Sequence, residues 1–216
     1  MQARRRRRLC GEYACTMPPH LNRAVAEVAT IYLVRHGEAS AHWTEETDPG
    51  LSALGNEQAR AVATKLTPLG PLAIASSPLR RARETATPLE TAWQTPARIV
   101  DAVAEIPSVG ISRAERLAWL TGLMQASWSS VDPALRRWRS TLLDFLARCE
   151  TNIVIFSHYV AINAAVGAAL GREEFEPFQP ANTSVTVLDN QGGRLRLIEQ
   201  GASGQHRPPP AFERSL

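Results

Sequence analysis

Cysteine is scarce in this chain of 216 residues: Cys10, Cys15 and Cys149 form an odd, widely spread set. The spacing of Cys10 and Cys15 is not that of a metal knuckle, and so odd and sparse a set points to no structural disulfide and to a reducing compartment, the cytoplasm. Long apolar runs are missing as well. The longest, Val160 to Leu170, is broken by Asn163 and is too short to cross a bilayer, so no membrane partner is expected. The chain has no glycine-rich loop of the kind that cradles nucleotide phosphates, and no acidic cluster suited to magnesium. Neither a metal nor another cofactor is therefore expected. Excess charge is also nearly absent once its origin is traced. The formal net charge is +3, but residues 1 to 29 hold six arginines against Glu12 and Glu27, leaving 18 basic and 19 acidic residues elsewhere. Basicity belongs to the leader, residues 1–29, which is expected to be unstructured because like charges repel. Nucleic acid is a conceivable partner only through Arg4 to Arg8. No apolar segment follows these arginines as a secretory signal would require.

What the chain does have is organised around Thr30-Ile31-Tyr32-Leu33-Val34-Arg35-His36-Gly37-Glu38. An unalternating apolar run of this length predicts a buried strand of a parallel sheet. It ends on a guanidinium, an imidazole and a glycine, and in open α/β sheets ligands bind just beyond the carboxyl ends of strands. Asn152-Ile153-Val154-Ile155-Phe156 repeats the pattern and ends on Ser157-His158, followed by a mostly apolar helix from Tyr159 to Leu170. Either histidine alone could be a capping residue. Two histidines at the tips of two core strands point to a site.

Between these strands the pattern alternates. Ser52 is a candidate N-cap for a helix whose stripe is Leu54, Ala59, Val62 and Leu66, ended by Pro68, Gly70 and Pro71. A short strand, Leu72 to Ala75, precedes Ser76-Ser77-Pro78 and a helix in which Pro78 occupies the first turn. Arg98 to Val103 reads as a third strand, with Glu105 on the loop beyond it. Residues 111–131, carrying Trp119, Leu120, Leu123, Met124 and Trp128, form a helical insertion that is either a lid or part of the core. Asp132-Pro133 opens a helix with Leu135, Trp138, Leu142, Phe145 and Leu146 on one face. Residues 182–188 and 194–199 predict a hairpin around Asn190-Gln191-Gly192-Gly193, and 201–216 a flexible tail. Alternating strands and helices argue for parallel βαβ units in a single α/β domain over residues 30–200.

The residues at strand ends are Arg35, His36, Arg81, Glu105 and His158. Guanidiniums match phosphoryl oxygens with forked donors, one imidazole can attack, and a carboxyl group can protonate a leaving oxygen. Zinc fits less well, because the arginines would repel it. These motifs resemble the histidine phosphatase superfamily, the phosphoglycerate mutase-like group. Leu33-Val34-Arg35-His36-Gly37-Glu38 is similar to its signature, and Asp48 to Ala59 to its Leu-Thr/Ser segment leading into Gly and Gln-Ala. Ser76 to Ala86 resembles the second-arginine motif, with the arginine on Arg81. Val154 to His158 resembles the distal histidine strand.

The resemblance implies a three-layer α/β/α sandwich with a mostly parallel central sheet. It implies a metal-independent phosphatase acting on a small phosphorylated substrate through a phosphohistidine on His36. Arg35, Arg81 and His158 would bind the phosphoryl group, and Glu105 would be the general acid, with Glu38 the alternative. Some positions depart from the family pattern. His42 stands where the family often has asparagine, and is either an extra phosphate contact or a solvated residue. Tyr159 stands where glycine is common and would shape the pocket. Glu105 is followed by Ile106-Pro107-Ser108 instead of Arg-x-Tyr-Gly, which speaks against a mutase. The alternatives are a phosphotransferase, either a mutase or a protein phosphohistidine phosphatase, and a non-catalytic phosphate-ligand binding protein.

Overall fold

The computed structural model describes residues 28–41, 46–112 and 114–204. Most of the leader, His42 and Trp43, and the tail from residue 205 lie outside the described residues. Six strands form one sheet in the order β3-β2-β4-β1-β5-β6. The strands are β1 (Val28–Arg35), β2 (Ala73–Ser76), β3 (Arg98–Ile99), β4 (Ile153–Ser157), β5 (Val185–Gln191) and β6 (Arg194–Glu199). The first four run parallel; β5 is antiparallel to both β1 and β6. The sheet is therefore mostly parallel. β1 starts at Val28, two residues inside the segment expected to be leader.

β4 lies in the middle and is buried along its whole length. Its side chains alternate between two cores, as the pleat requires. Val154 and Phe156 join one cluster with Val62, Leu66, Ile74, Leu89 and Trp93, from β2 and two helices, α1 (Ala53–Leu66) and α2 (Arg80–Trp93). Ile153 and Ile155 face a second cluster with Leu135, Leu142, Leu146, Ile162 and Val166, from α4 (Pro133–Ala147) and α5 (Tyr159–Leu170). Helices thus cover both faces, giving three layers. Among the described residues no helix is long and apolar enough to cross a membrane.

Four local expectations change. The third strand ends after Ile99, because the chain turns through a 3-10 segment, Asp101–Val103, that sinks Val103 into the core. Leu54 is 48% exposed, so the buried face of α1 is Ala59, Val62, Ala63 and Leu66, with Ser52 capping as its spacing predicted. Helix α2 starts at Arg80, leaving Pro78 in the preceding turn. At the other end, Gly201 is buried, and Ser203 bridges Pro180, so the tail's first residues pack on the domain.

The insertion proves to be two things. Its helix, α3 (Arg116–Met124), has no fully buried residue and lies at the surface. Trp128 is core: it is 1% exposed and stacked between Phe175 and Trp138. Backbone bonds from Trp128 N–H to Glu173 and from Phe175 N–H to Ala126 tie the insertion to the chain after α5. Trp128→Ala should therefore destabilise the fold by about 3–5 kcal/mol, as loss of a buried aromatic does. A urea midpoint close to the parent's would instead mark the segment as a detachable lid.

Candidate active site

Parallel register brings the site together. In β1 and β4 Arg35 pairs with Ser157, so the next residues, His36 and His158, emerge side by side. Their ring centroids are 5.1 Å apart. In β2 and β4 Ser76 pairs with Phe156, which sets Ser77 beside the same edge. Arg81 arrives from the first turn of α2, and Glu105 from the turn after β3. That turn is held to β4 by the Ser157 hydroxyl, which donates to the Val103 carbonyl at 2.7 Å. The antiparallel β5 begins at this edge, so the loop before it closes the remaining side.

His36 is 8% exposed and its ring state follows from its partners. The Gly37 carbonyl can only accept, so the 2.7 Å contact with Nδ1 places a proton there. Nε2 is left with a lone pair, and Arg81 Nε–H donates to it at 3.1 Å. Burial, then the charges of Arg81 and Arg35, hold the His36 pKa well below 6.5 against the bond to Gly37. A neutral imidazole of this tautomer can attack through Nε2 once the Arg81 N–H turns from its lone pair to an incoming oxyanion. The turn that follows needs glycine: a Cβ at residue 37 would sit 2.7 Å from the Gly55 carbonyl oxygen.

Both arginines are held from outside the cluster. Arg35 donates to the Pro180 carbonyl at 2.7 Å, with its guanidinium 5.0 Å from the centroid of the Tyr159 ring. Arg81 is 7% exposed and 3.8 Å from Asp48, which itself accepts from the Arg80 N–H. Glu105 accepts from the Ile106 N–H at 3.0 Å and faces the Val160 N–H at 3.5 Å. Desolvation raises its pKa above 4.5, outweighing those N–H groups and the arginines. It can hold a proton and give it up. His158 is fully buried, and its pKa lies well below 6.5 through burial first, then Arg81, His36 and Arg35.

Two predicted positions have their polar atoms bound outside this group. Glu38 is exposed and accepts from the Ser52 hydroxyl at 2.8 Å, so its carboxylate serves the start of α1. The Tyr159 hydroxyl donates to Glu176; burial first, and then this bond, raises its pKa, while its ring faces Arg35. His42 falls outside the described residues. Other contributors escaped the sequence reading. Asn182 donates to the His36 carbonyl at 3.0 Å, and Thr85 accepts from the Gly37 N–H at 3.0 Å while donating to the Arg81 carbonyl at 2.6 Å. Thr85 and Ser77 lie inside the second-arginine motif, which offered a signal; Asn182 and Glu176 lie in aperiodic loop.

A buried imidazole pair under the influence of two guanidiniums, with one protonatable carboxyl near them, suits a tetrahedral oxyanion. The model for the histidine phosphatase superfamily (branch 1) matches residues 31–202. The chain belongs to that superfamily. Solved structures agree in fold. A mutant phosphoserine phosphatase from Entamoeba histolytica, in complex with phosphoserine, is 26% identical over 82% of this chain and 98% of that one (TM-score 0.61). A protein described as mycobacterial hydrolase 1 is 25% identical over 82% and 100% (TM-score 0.62). Mycobacterial glucosyl-3-phosphoglycerate phosphatase with VO3 is 24% identical over 81% and 100% (TM-score 0.63), a likeness of fold alone. A search of curated proteins finds no match. Superfamily membership places the chain in a family of phosphatases and phosphotransferases.

The site makes stability depend on pH. Both histidines have folded pKa values below 6.5, so under acid the unfolded chain binds more protons and stability falls as pH drops below about 6.5. Glu105 has the opposite sign: its raised pKa contributes stability that is lost as pH rises through the range above 4.5. Two imidazoles outweigh one carboxyl, so the urea midpoint should be lower at about pH 5.5 than at about pH 7.5. A midpoint that rises on acidification would contradict neutral buried histidines.

Proposed function

We propose that the protein hydrolyses phosphomonoesters of small molecules through a phosphohistidine on His36, without a metal. The observation that carries this reading is the His36 ring: its proton sits toward the Gly37 carbonyl, and Nε2 turns toward Arg81. Nε2 attacks phosphorus and the P–O bond to the alcohol breaks. The departing oxygen takes the proton of Glu105, whose carboxyl is held beside the arginines with its pKa raised. Water then attacks the phosphohistidine, Glu105 takes its proton, the P–N bond breaks, and inorganic phosphate leaves. Arg35 and Arg81 offer guanidinium N–H groups to the equatorial oxygens throughout, and His158 offers a ring N–H.

Glu105 is preferred to Glu38 as the acid because Arg81 and Arg35 both act on its titration, whereas the Glu38 carboxylate is bound to Ser52. A phosphatase is preferred to a mutase on the Ile106-Pro107-Ser108 sequence after Glu105.

Hydrolysis of para-nitrophenyl phosphate in excess EDTA tests this reading. Activity should survive the chelator and fall by about a thousandfold or more in His36→Ala. Glu105→Gln should lose about 10²- to 10⁴-fold, the worth of general acid catalysis. Glu38→Gln should stay close to the parent. Activity surviving in His36→Ala would overturn the nucleophile, and a dominant loss in Glu38→Gln would exchange the two carboxyls.

A further inference from the structure

Ser77 is fully buried at the end of β2, and its hydroxyl has two neighbours among the described residues. The Leu79 N–H donates to Oγ at 3.2 Å, and His158 Nε2 lies 2.7 Å from it. Which of the second pair donates can be decided by counting. If His158 carried its proton on Nε2, Oγ would accept from two N–H groups, and its own proton would be buried without an acceptor. An orphaned buried donor costs about 1–3 kcal/mol. If Ser77 donates instead, its proton and Oγ are both satisfied and only the His158 Nδ1–H is left over, whereas the other arrangement leaves two groups unpaired, the Ser77 proton and the Nδ1 lone pair. The His158 proton then sits on Nδ1, the one polar atom of that ring with no partner in the protein.

We infer that Ser77 is a positioning residue that locks His158 as its Nδ1–H tautomer, so that a neutral imidazole presents a hydrogen-bond donor to the phosphoryl oxygens. The inference deepens the phosphatase reading and rests on it. The charged groups acting on His158 are Arg81 and Arg35, with the His36 ring beside it, and none of them is a hydrogen-bond acceptor for Nδ1–H. With two guanidiniums already close, a donor that adds no charge avoids burying a third cation. The bond made by one ring nitrogen fixes the state of the other, so the device needs only a hydroxyl at Ser77.

Long-range ¹H–¹⁵N correlation of the histidine rings at neutral pH reads the tautomer directly, with His158 assigned by its loss in His158→Gln. The expected spectrum has the proton on Nδ1 and a bare Nε2, and added inorganic phosphate shifts the Nδ1–H resonance. A proton on Nε2, an imidazolium at neutral pH, or an Nδ1–H indifferent to phosphate would overturn the inference. In Ser77→Ala the proton should move to Nε2, and kcat/KM should fall about ten- to a hundredfold, as when a working histidine loses its orienting partner. Ser77→Thr, which keeps the hydroxyl, should restore both. Unchanged kcat/KM in a folded Ser77→Ala with the moved proton would also overturn it. The spectra need no turnover, so an inactive parent enzyme would sink the phosphatase reading while the tautomer was still read.

Discussion

Two largely desolvated guanidinium groups, of which Arg81 faces Asp48 only at 3.8 Å, set the terms for everything around them. Taking a charge out of water costs several kcal/mol even after relaxation. The protein offsets that cost with the Pro180 carbonyl and the Tyr159 ring at Arg35, and with Asp48 at 3.8 Å from Arg81. None of these neutralises the cations outright. Burial first, and then the residual positive field, keeps His36 and His158 unprotonated, and the field competes with desolvation for the state of Glu105. An oxyanion would complete the charge balance that the fold leaves open. Donors fixed in advance where charge gathers are the usual source of large electrostatic rate effects.

The sheet makes this arrangement affordable. Its four parallel strands end at one edge, and their register, set by the packing of β4 between two cores, decides which side chains meet. A shift of one residue would turn His36 or His158 to the other face. The helices contribute in the same sense: α2 delivers Arg81 from its first turn, and Thr85 one turn later braces the glycine after His36. Core stability and site geometry are thus the same contacts seen from two ends.

Much of this was legible in the sequence because each strand run stops on its chemistry. Arg35, His36 and His158 stand at the ends of unbroken apolar segments, and Arg81 follows a turn signal. What stayed hidden depends on pairings between distant segments. The third strand is two residues long because Val103 turns into the core, which no local pattern announces. Leu54 is exposed because helical spacing puts it well off the face formed by Gly55, Ala59, Val62, Ala63 and Leu66. Trp128 could have been lid or core until Phe175, 47 positions along the chain, was placed against it. Ser77, Asn182 and Glu176 acquire a role only through the side chains that register and loop closure set beside them.

The measurement that bears most directly on this account is the identity of the phosphorylated atom during turnover. A single-turnover reaction quenched in alkali, which preserves phosphoramidates, can be mapped by mass spectrometry and its nitrogen assigned by ³¹P and ¹⁵N resonance. The account predicts phosphorus on Nε2 of His36, the nitrogen left bare by the Gly37 bond. Phosphorus on Nδ1, phosphorus on another residue, or hydrolysis with no covalent species would contradict it.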